Sequence, residues 1–502
     1  MNKRAKKKMK KGKIINKKDI IIYLILVLIV SIMCYPYLTM HYSTDDYTII
    51  GDGYNKYGIE TFLNAGRIFS SGVTLLAGRL NLPINIFVQV LFYIGILISC
   101  LCVMEIRKCI IKIKPESNIK EIILIIAISF CTIFNFMYLE NMYFVEIPIM
   151  AMGILLFIKS SENLVDEKYS KSLIYLLFGE LCYQGTINFF ITFTFILLII
   201  KYKKINKQLI SKMIVAVFFC LICITINMIQ IKICGKIFNL KQDRLGSLKS
   251  IPNNIAYIIT HLYKIIVNSS DLFPKYIFVI FLVVTYIIIF IGDLKNIKEY
   301  SNSFNVLMLF IVATVSSVAI NVISLSSFGL GRMVFSVGAL IGLIFMYVYC
   351  CTNIFNDASI LKNILICDLI IYTALNFVNY TNSMFNNKLA NELDKQEALK
   401  INEYILEYEK NSNQNIEKIA ICRDKNVTWN YNELKNKSLY THRALMIWWC
   451  NVYTINYYTN RNLQEVPMNN EIYYTYFYGK DWDKLDREQL VFKDDTMYYC
   501  IY

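Results

Sequence analysis

A series of long apolar blocks constrains this chain more than any other feature. They cover residues 20–40, 82–104, 122–138, 213–233, 276–291, 306–325, 331–350 and 364–378. Several approach or exceed the roughly 17–20 apolar residues that a helix needs to cross a bilayer. Charged residues make up only 18% of the 502 positions, against about 25% in an ordinary soluble protein. A soluble enzyme is excluded, and the sequence predicts an all-α polytopic integral membrane protein.

The net charge of +15 invites a nucleic-acid reading, but its location argues otherwise. Residues 1–18 carry ten Lys or Arg directly before the first apolar block. Such a tail holds the N-terminus in the cytoplasm and attracts anionic lipid headgroups, so no nucleic-acid partner is expected. The first block is long and lacks a small-x-small cleavage site, which favours a retained helix over a signal peptide. Most of the fifteen cysteines fall in or beside apolar blocks, where cysteine behaves as a small hydrophobe. Cys422, Cys450 and Cys500 are far apart in the chain, and neither a disulfide framework nor zinc spacing emerges. With three histidines in all, no histidine-based metal site is expected.

Counting basic residues at the ends of each block predicts about eleven transmembrane helices, within a range of nine to twelve. The N-terminus is then cytoplasmic and the C-terminus extracytoplasmic. Residues 41–82 form an outer loop, with 57–82 lying along the surface. Two short spans near 121–138 and 142–158 make a hairpin with Glu140 at its outer tip. Residues 172–200 are bracketed by lysines at both ends yet are too few for two full spans. Glu180, Tyr183, Gln184 and Gly185 interrupt the middle, which predicts two short helices meeting at a protein-lined break; one long span is the alternative. A basic outer loop is expected at 234–274 (Lys236, Lys241, Arg244, Lys249, Lys264), and a second hairpin turns at residues 326–328.

After residue 380 the composition becomes polar and tyrosine-rich. The organisation predicted is a basic tail (1–19), a membrane domain (20–379) and a small C-terminal α/β module (380–502). Residues 387–410 have an amphipathic helical pattern and 416–422 read as a short strand. The aromatic cluster that includes Trp448, Trp449, Tyr453, Tyr457 and Tyr458 reads as core, with sugar-stacking platforms as the other use of such rings.

The polar residues best suited to chemistry sit in the first outer loop: adjacent Asp45 and Asp46, then Asp52, then the pairs Gly66-Arg67 and Gly78-Arg79. Carboxylates beside a membrane span are costly unless exposed, paired or functional. Arg67, Arg79 and Arg332 offer guanidinium forks matched to phosphate oxygens. Glu140, Glu146, Glu180, Tyr183 and Gln184 are candidates to line the same cavity. The competing reading makes the aspartates a solvated loop start and the arginines headgroup contacts. No P-loop, dinucleotide fingerprint, nucleophile elbow or His-Glu-x-x-His motif occurs.

This order of features resembles a bacterial membrane glucosyltransferase family that modifies O-antigen and related surface polysaccharides, itself part of the GT-C class. The features are the basic tail, the Ser43-Thr-Asp45-Asp46-Tyr47 loop, Gly66-Arg67, Tyr183-Gln184, the Arg332 hairpin and a polar C-terminal module. The chain has Ile68 where family members often have Trp. The resemblance implies transfer of a sugar, with glucose expected, from a polyprenyl-phosphate donor to a hydroxyl of a cell-surface glycan on the outer face. Asp46 or Asp45 would be the base and Arg67, Arg79 or Arg332 would hold the donor phosphate. Asp52, Glu140, Glu180, Tyr183 and Gln184 would line the substrate cavity, and no metal would be required, although Asp45, Asp46 and Asp52 could supply oxygen ligands. Two rivals share the topology. A flippase would place its carboxylates near the midplane and show inverted repeats; a polysaccharide polymerase or ligase would use a large basic outer loop, for which 234–274 is the candidate.

Overall fold

The computed structural model describes residues 17–240, 248–295, 301–325, 328–352, 354–355, 360–434, 438 and 441–502. The basic tail through residue 16, Lys241, Arg244 and residues 326–327 of the expected hairpin turn lie outside the described residues.

In lipid every backbone polar group must be satisfied within the segment, so apolar spans become helices. The helices of nine or more residues are α1 (Lys17–Met33), α2 (Thr44–Tyr57), α3 (Ile68–Arg79), α4 (Ile84–Ile113), α5 (Ile119–Ile133), α6 (Ile147–Val165), α7 (Tyr169–Cys182), α8 (Ile187–Tyr202) and α9 (Lys207–Ile237). They continue with α10 (Ile251–Ile266), α11 (Ile277–Lys295), α12 (Ser301–Ala319), α13 (Leu340–Cys351), α14 (Ile360–Ser412) and α15 (Asn451–Thr459). Seven helices among the described residues are long and apolar enough to cross a membrane: α4, α6, α8 with its preceding turn, α9, α11, α12 and α14. The remaining apolar blocks form the shorter helices α1, α5, α7 and α13.

The centre of the membrane domain is α8, of whose 16 residues 13 are buried. It packs on α6, α9 and α12. Helix α9 lies at the periphery and exposes Ile214, Val217, Phe218 and Leu221, an apolar face suited to lipid. Between α7 and α8 the chain leaves helical geometry at Tyr183 (φ −159°, ψ 105°) and makes a tight turn, Gln184–Thr186. Tyr183, Gly185 and Thr186 are buried. Residues 172–200 are therefore two short helices joined at a protein-lined break, the first of the two arrangements open from sequence.

The loop 41–82 folds into α2, a short π-helical turn (Gly58–Leu63) and α3. Helix α2 starts on a reciprocal capping box: the Asp46 N–H is turned to the Ser43 hydroxyl, and the Ser43 backbone N–H donates to Asp46 Oδ2 at 2.6 Å. Such a box satisfies two orphan donors of the first turn.

The last apolar block does not stop at the end of the membrane domain. Helix α14 runs 53 residues without interruption, about 80 Å at 1.5 Å per residue. The expected boundary at 379/380 falls inside it, and the predicted amphipathic helix 387–410 is its distal half. The module built on that half contains a four-stranded sheet of order β2-β1-β4-β3: β1 (Lys418–Arg423), β2 (Gln464–Glu465), β3 (Leu490–Lys493) and β4 (Thr496–Ile501). Strand β1 pairs parallel with both β2 and β4, and β3 closes the edge antiparallel to β4. The β1–β4 register sets Cys422 beside Cys500, two residues whose distance in sequence hid their proximity. A core that includes Ile401, Ile405, Ile419, Leu445, Ile455 and Tyr499 joins sheet, α15 and α14.

Candidate active site

Where the segment 41–82 meets the C-terminal module lies a cavity of about 1080 Å³. That segment contributes Asp45, Asp52, Tyr57, Glu60 and Arg67; the rest of the membrane domain contributes Tyr143, Phe144, Glu146 and Arg332; the module contributes Trp448, Trp449, Asn451, Tyr453 and Glu465.

Two arginines reach this cavity by parallel devices. Gly66 has φ +81°, a backbone conformation that glycine adopts without steric cost, and a Cβ there would fall 2.4 Å from Asn227 Oδ1. The loop it creates is clamped from the membrane domain. Asn227 Nδ2 donates to the Gly66 carbonyl at 3.1 Å, and Gln184 Nε2 donates to the Ala65 carbonyl. Arg67 emerges from this clamp, Nη1 2.5 Å from Glu146 Oε1, its guanidinium 4.7 Å from the Tyr183 ring centroid. Its Nε is buried without a hydrogen-bond partner.

Arg332 follows Gly331, where a Cβ would meet Leu272 at 2.2 Å and Glu140 Oε2 at 3.0 Å. The Arg332 backbone N–H donates to Glu140 Oε2 at 3.0 Å, and its guanidinium forms an ion pair with Glu140 Oε1 at 3.0 Å. It lies 4.4 Å from the Phe144 ring centroid. Next to it, Asn188 Nδ2 donates to the Met333 carbonyl at 2.5 Å. Burial works against the charge on Arg332, and Tyr183, Glu140, Asp45 and Glu146 together more than offset it.

The break between α7 and α8 thus holds both arginines. Gln184 anchors the Arg67 loop, Asn188 anchors the Arg332 turn, and the Tyr183 ring contacts Arg67 while its hydroxyl meets Met333 Sδ at 4.0 Å. Continuous helix at this point would offer neither the freed Gln184 side chain nor the extended Tyr183.

Asp45 and Asp46 take different places. Asp45 is half-buried and lines the cavity together with the buried Tyr57. Asp46 is 1% exposed and is consumed by the capping box, with its Oδ1 lacking a partner. Burial pushes its carboxyl up to about 7 against the bonds from Ser43, and Asp45 adds to the rise. A group held above its unfolded value near 3.9 binds an extra proton in the folded state. Its contribution is complete below about pH 4 and is lost as pH rises through about 7, by on the order of 4 kcal/mol at most. Thermal unfolding should therefore show the parent losing stability between about pH 4 and pH 7 relative to Asp46→Asn. Parallel profiles would refute that coupling.

The other sequence candidates separate. Asp52 lines the cavity, where it accepts from Tyr453 at 2.8 Å and pairs with Lys56 at 2.6 Å. Glu140 is buried beneath Arg332 instead of standing at an exposed tip. Tyr183 and Gln184 support the arginines from behind. Glu180 is buried on α7 near Cys220 and Cys223 of α9, away from the cavity lining. Arg79 ends α3 at an exposed position outside the lining. Among the described residues no group of three or more His, Cys, Asp or Glu comes together in a metal-holding arrangement.

The tyrosine-rich module meets the segment 41–82 through ring and hydroxyl contacts. Tyr42 pairs with Tyr457 at 2.6 Å, Tyr47 with Tyr458 at 2.7 Å, and Gly51 approaches so closely that a Cβ would lie 2.1 Å from the Tyr453 ring. Trp448 and Trp449 remain exposed at the cavity. Comparison with protein-family models and with curated protein sequences finds no match to this chain.

Proposed function

We propose that the protein is a membrane glycosyltransferase. In this reading it moves a sugar, glucose by preference, from a polyprenyl-phosphate donor to a hydroxyl of a cell-surface glycan at the outer face. The observation that carries the proposal is the convergence of a half-buried carboxylate, Asp45, with two supported arginines, Arg67 and Arg332, in one cavity at the edge of the membrane domain. A base facing two guanidinium groups is the minimum set for displacing a phosphate leaving group from an anomeric carbon.

In the proposed step the acceptor hydroxyl attacks C1 of the donor sugar. Its proton passes to Asp45, the C1–O bond to phosphate breaks, and the lipid phosphate departs with its charge held by Arg67 and Arg332. A single displacement inverts the anomeric configuration. Asp45 takes the base role ahead of Asp46 because Asp46 is occupied at the helix start. Arg79 falls outside the cavity and has no role in the step; Glu146 and Glu140 orient the two arginines. The eleven-span topology, with α1, α5, α7 and α13 counted as short spans, is part of the same proposal. It puts the N-terminus inside, its basic tail against anionic lipid, and the cavity and module outside. No metal enters the step.

The test is reconstitution in proteoliposomes with a panel of synthetic polyprenyl-phosphate hexoses and an acceptor glycan extract. Transfer of label to glycan with inverted configuration is expected from at least one donor. Failure of every donor, or transport of the intact lipid-sugar without transfer, would overturn the reading. Within this assay, Arg67→Gln and Arg332→Gln should each lower turnover by about 10²- to 10³-fold, the scale of losing one preorganised charge stabiliser. Arg79→Gln should match the parent.

A further inference from the structure

Beside the main cavity is a second one of about 410 Å³, within the roughly 300–1,000 Å³ of ordinary ligand sites. The two share Trp448, Asn451 and Glu465 as lining residues, so they adjoin at these side chains and together make a recess. The far wall of the second cavity is made by the ends of parallel strands, Arg423 of β1 and Ile501 of β4, together with Tyr473. In open α/β sheets the crevice outside the carboxyl ends of parallel strands is the usual place for a ligand.

We infer that this recess is the binding groove for the acceptor glycan, with Trp448 as its stacking platform; the inference rests on the transfer reading above. Trp448 is 70% exposed and Trp449 42% exposed, their rings perpendicular with centroids 5.6 Å apart. Two bare indoles contribute little to a core, and leaving them in water is unfavourable unless something covers them. A polysaccharide suits the position. The apolar face of a pyranose covers an indole, and its hydroxyls need the mixed donors and acceptors that Arg423, Asn451, Glu465 and Tyr473 present. Arg423 is held by a hydrogen bond from Nη2 to the Met446 carbonyl at 3.0 Å, which fixes the guanidinium without using all its donors. A chain laid over Trp448 enters the main cavity directly, which brings one of its hydroxyls toward Asp45.

All four tryptophans, Trp429, Trp448, Trp449 and Trp482, belong to the module, so tryptophan-selective emission of the full chain in detergent micelles reports on it alone. The probes are linear hexasaccharides of neutral hexose, N-acetylhexosamine and uronate. At least one is expected to shift the emission saturably, with affinity lowered tenfold or more by Trp448→Ala and largely restored by Trp448→Phe. Absence of a saturable shift with every hexasaccharide, or unchanged affinity in Trp448→Ala, would overturn the groove. The two proposals separate cleanly. Binding that depends on Trp448 without transfer from any donor would sink the enzyme and keep the groove. Transfer with an unchanged acceptor KM in Trp448→Ala would sink the groove and keep the enzyme.

Discussion

Asp45→Asn is expected to lower turnover by about 10²- to 10⁴-fold, the range for removing a general base, with little change in donor KM. Asparagine matches the volume of aspartate, so the cavity should keep its shape. What it lacks is a site for the hydroxyl proton. An interaction needed only in the transition state lowers kcat and kcat/KM together, and that pattern separates lost chemistry from lost binding. Asp46→Asn provides the contrast. Its Oδ2 receives the Ser43 N–H at 2.6 Å and the Ser43 hydroxyl at 2.8 Å, so weakening it should act on the start of α2. At about pH 4 and below, where Asp46 is uncharged, the expected cost is about 0.5–2 kcal/mol of stability, with turnover close to the parent's. Initial rates in proteoliposomes decide between them. Near-parental kcat in Asp45→Asn with loss in Asp46→Asn would move the base role to Asp46.

The features legible in the sequence are those written in local pattern. Apolar runs announce helices because lipid leaves the backbone no alternative. The break at Tyr183-Gln184 is legible because a carboxylate, an amide and a glycine interrupt an otherwise apolar run flanked by lysines. Arg67 and Arg332 stand out because each follows glycine beside a membrane segment. The partners of these arginines are another matter. Glu146 and Glu140 lie many residues away from Arg67 and Arg332, and only the packing of α6, the α7–α8 break and the outer loop brings them within 2.5–3.0 Å. Nothing local distinguishes Asp45 from Asp46, since one residue of helical rotation sends the first into the cavity and the second into the cap. Glu180 and Arg79 carry the right chemistry on the wrong face. The continuity of α14 is hidden because its first part is mostly apolar and its second amphipathic, two patterns that one helix can carry in sequence. The role of Trp448 depends on how the module docks, a long-range property without a local signature.

That docking predicts a second large effect, in the buried network that ties the module to α14. Arg443 is 0% exposed and Glu397, on α14, is 5% exposed in its side chain. Glu397 accepts from Arg443 Nη2 at 2.9 and 3.1 Å, from Tyr499 at 2.5 Å and from Tyr502 at 3.1 Å, and the Tyr431 oxygen lies 3.1 Å away. The Tyr502 ring covers the guanidinium with its centroid 3.9 Å away, and neighbouring Asp394 accepts from Tyr431 at 2.8 Å and from the Ala444 N–H at 3.1 Å. Removing one partner of such a pair leaves the other charge buried and uncompensated, which costs about 3–5 kcal/mol. Glu397→Leu and Arg443→Met should each destabilise the module by that amount, whereas the double variant should cost well below their sum because neither charge remains. Thermal unfolding followed by tryptophan emission reads the module selectively, and additive costs would show that the pair is not coupled. The consequence reaches the cavity: Asp394 and Arg443 fix the segment 443–446 that leads into Trp448 and α15, and α15 holds Asp52 through Tyr453. Loosening the network should therefore raise acceptor KM in the single variants before donor binding changes, because Arg67 and Arg332, the proposed ligands of the donor phosphate, are held by the membrane domain and not by the module.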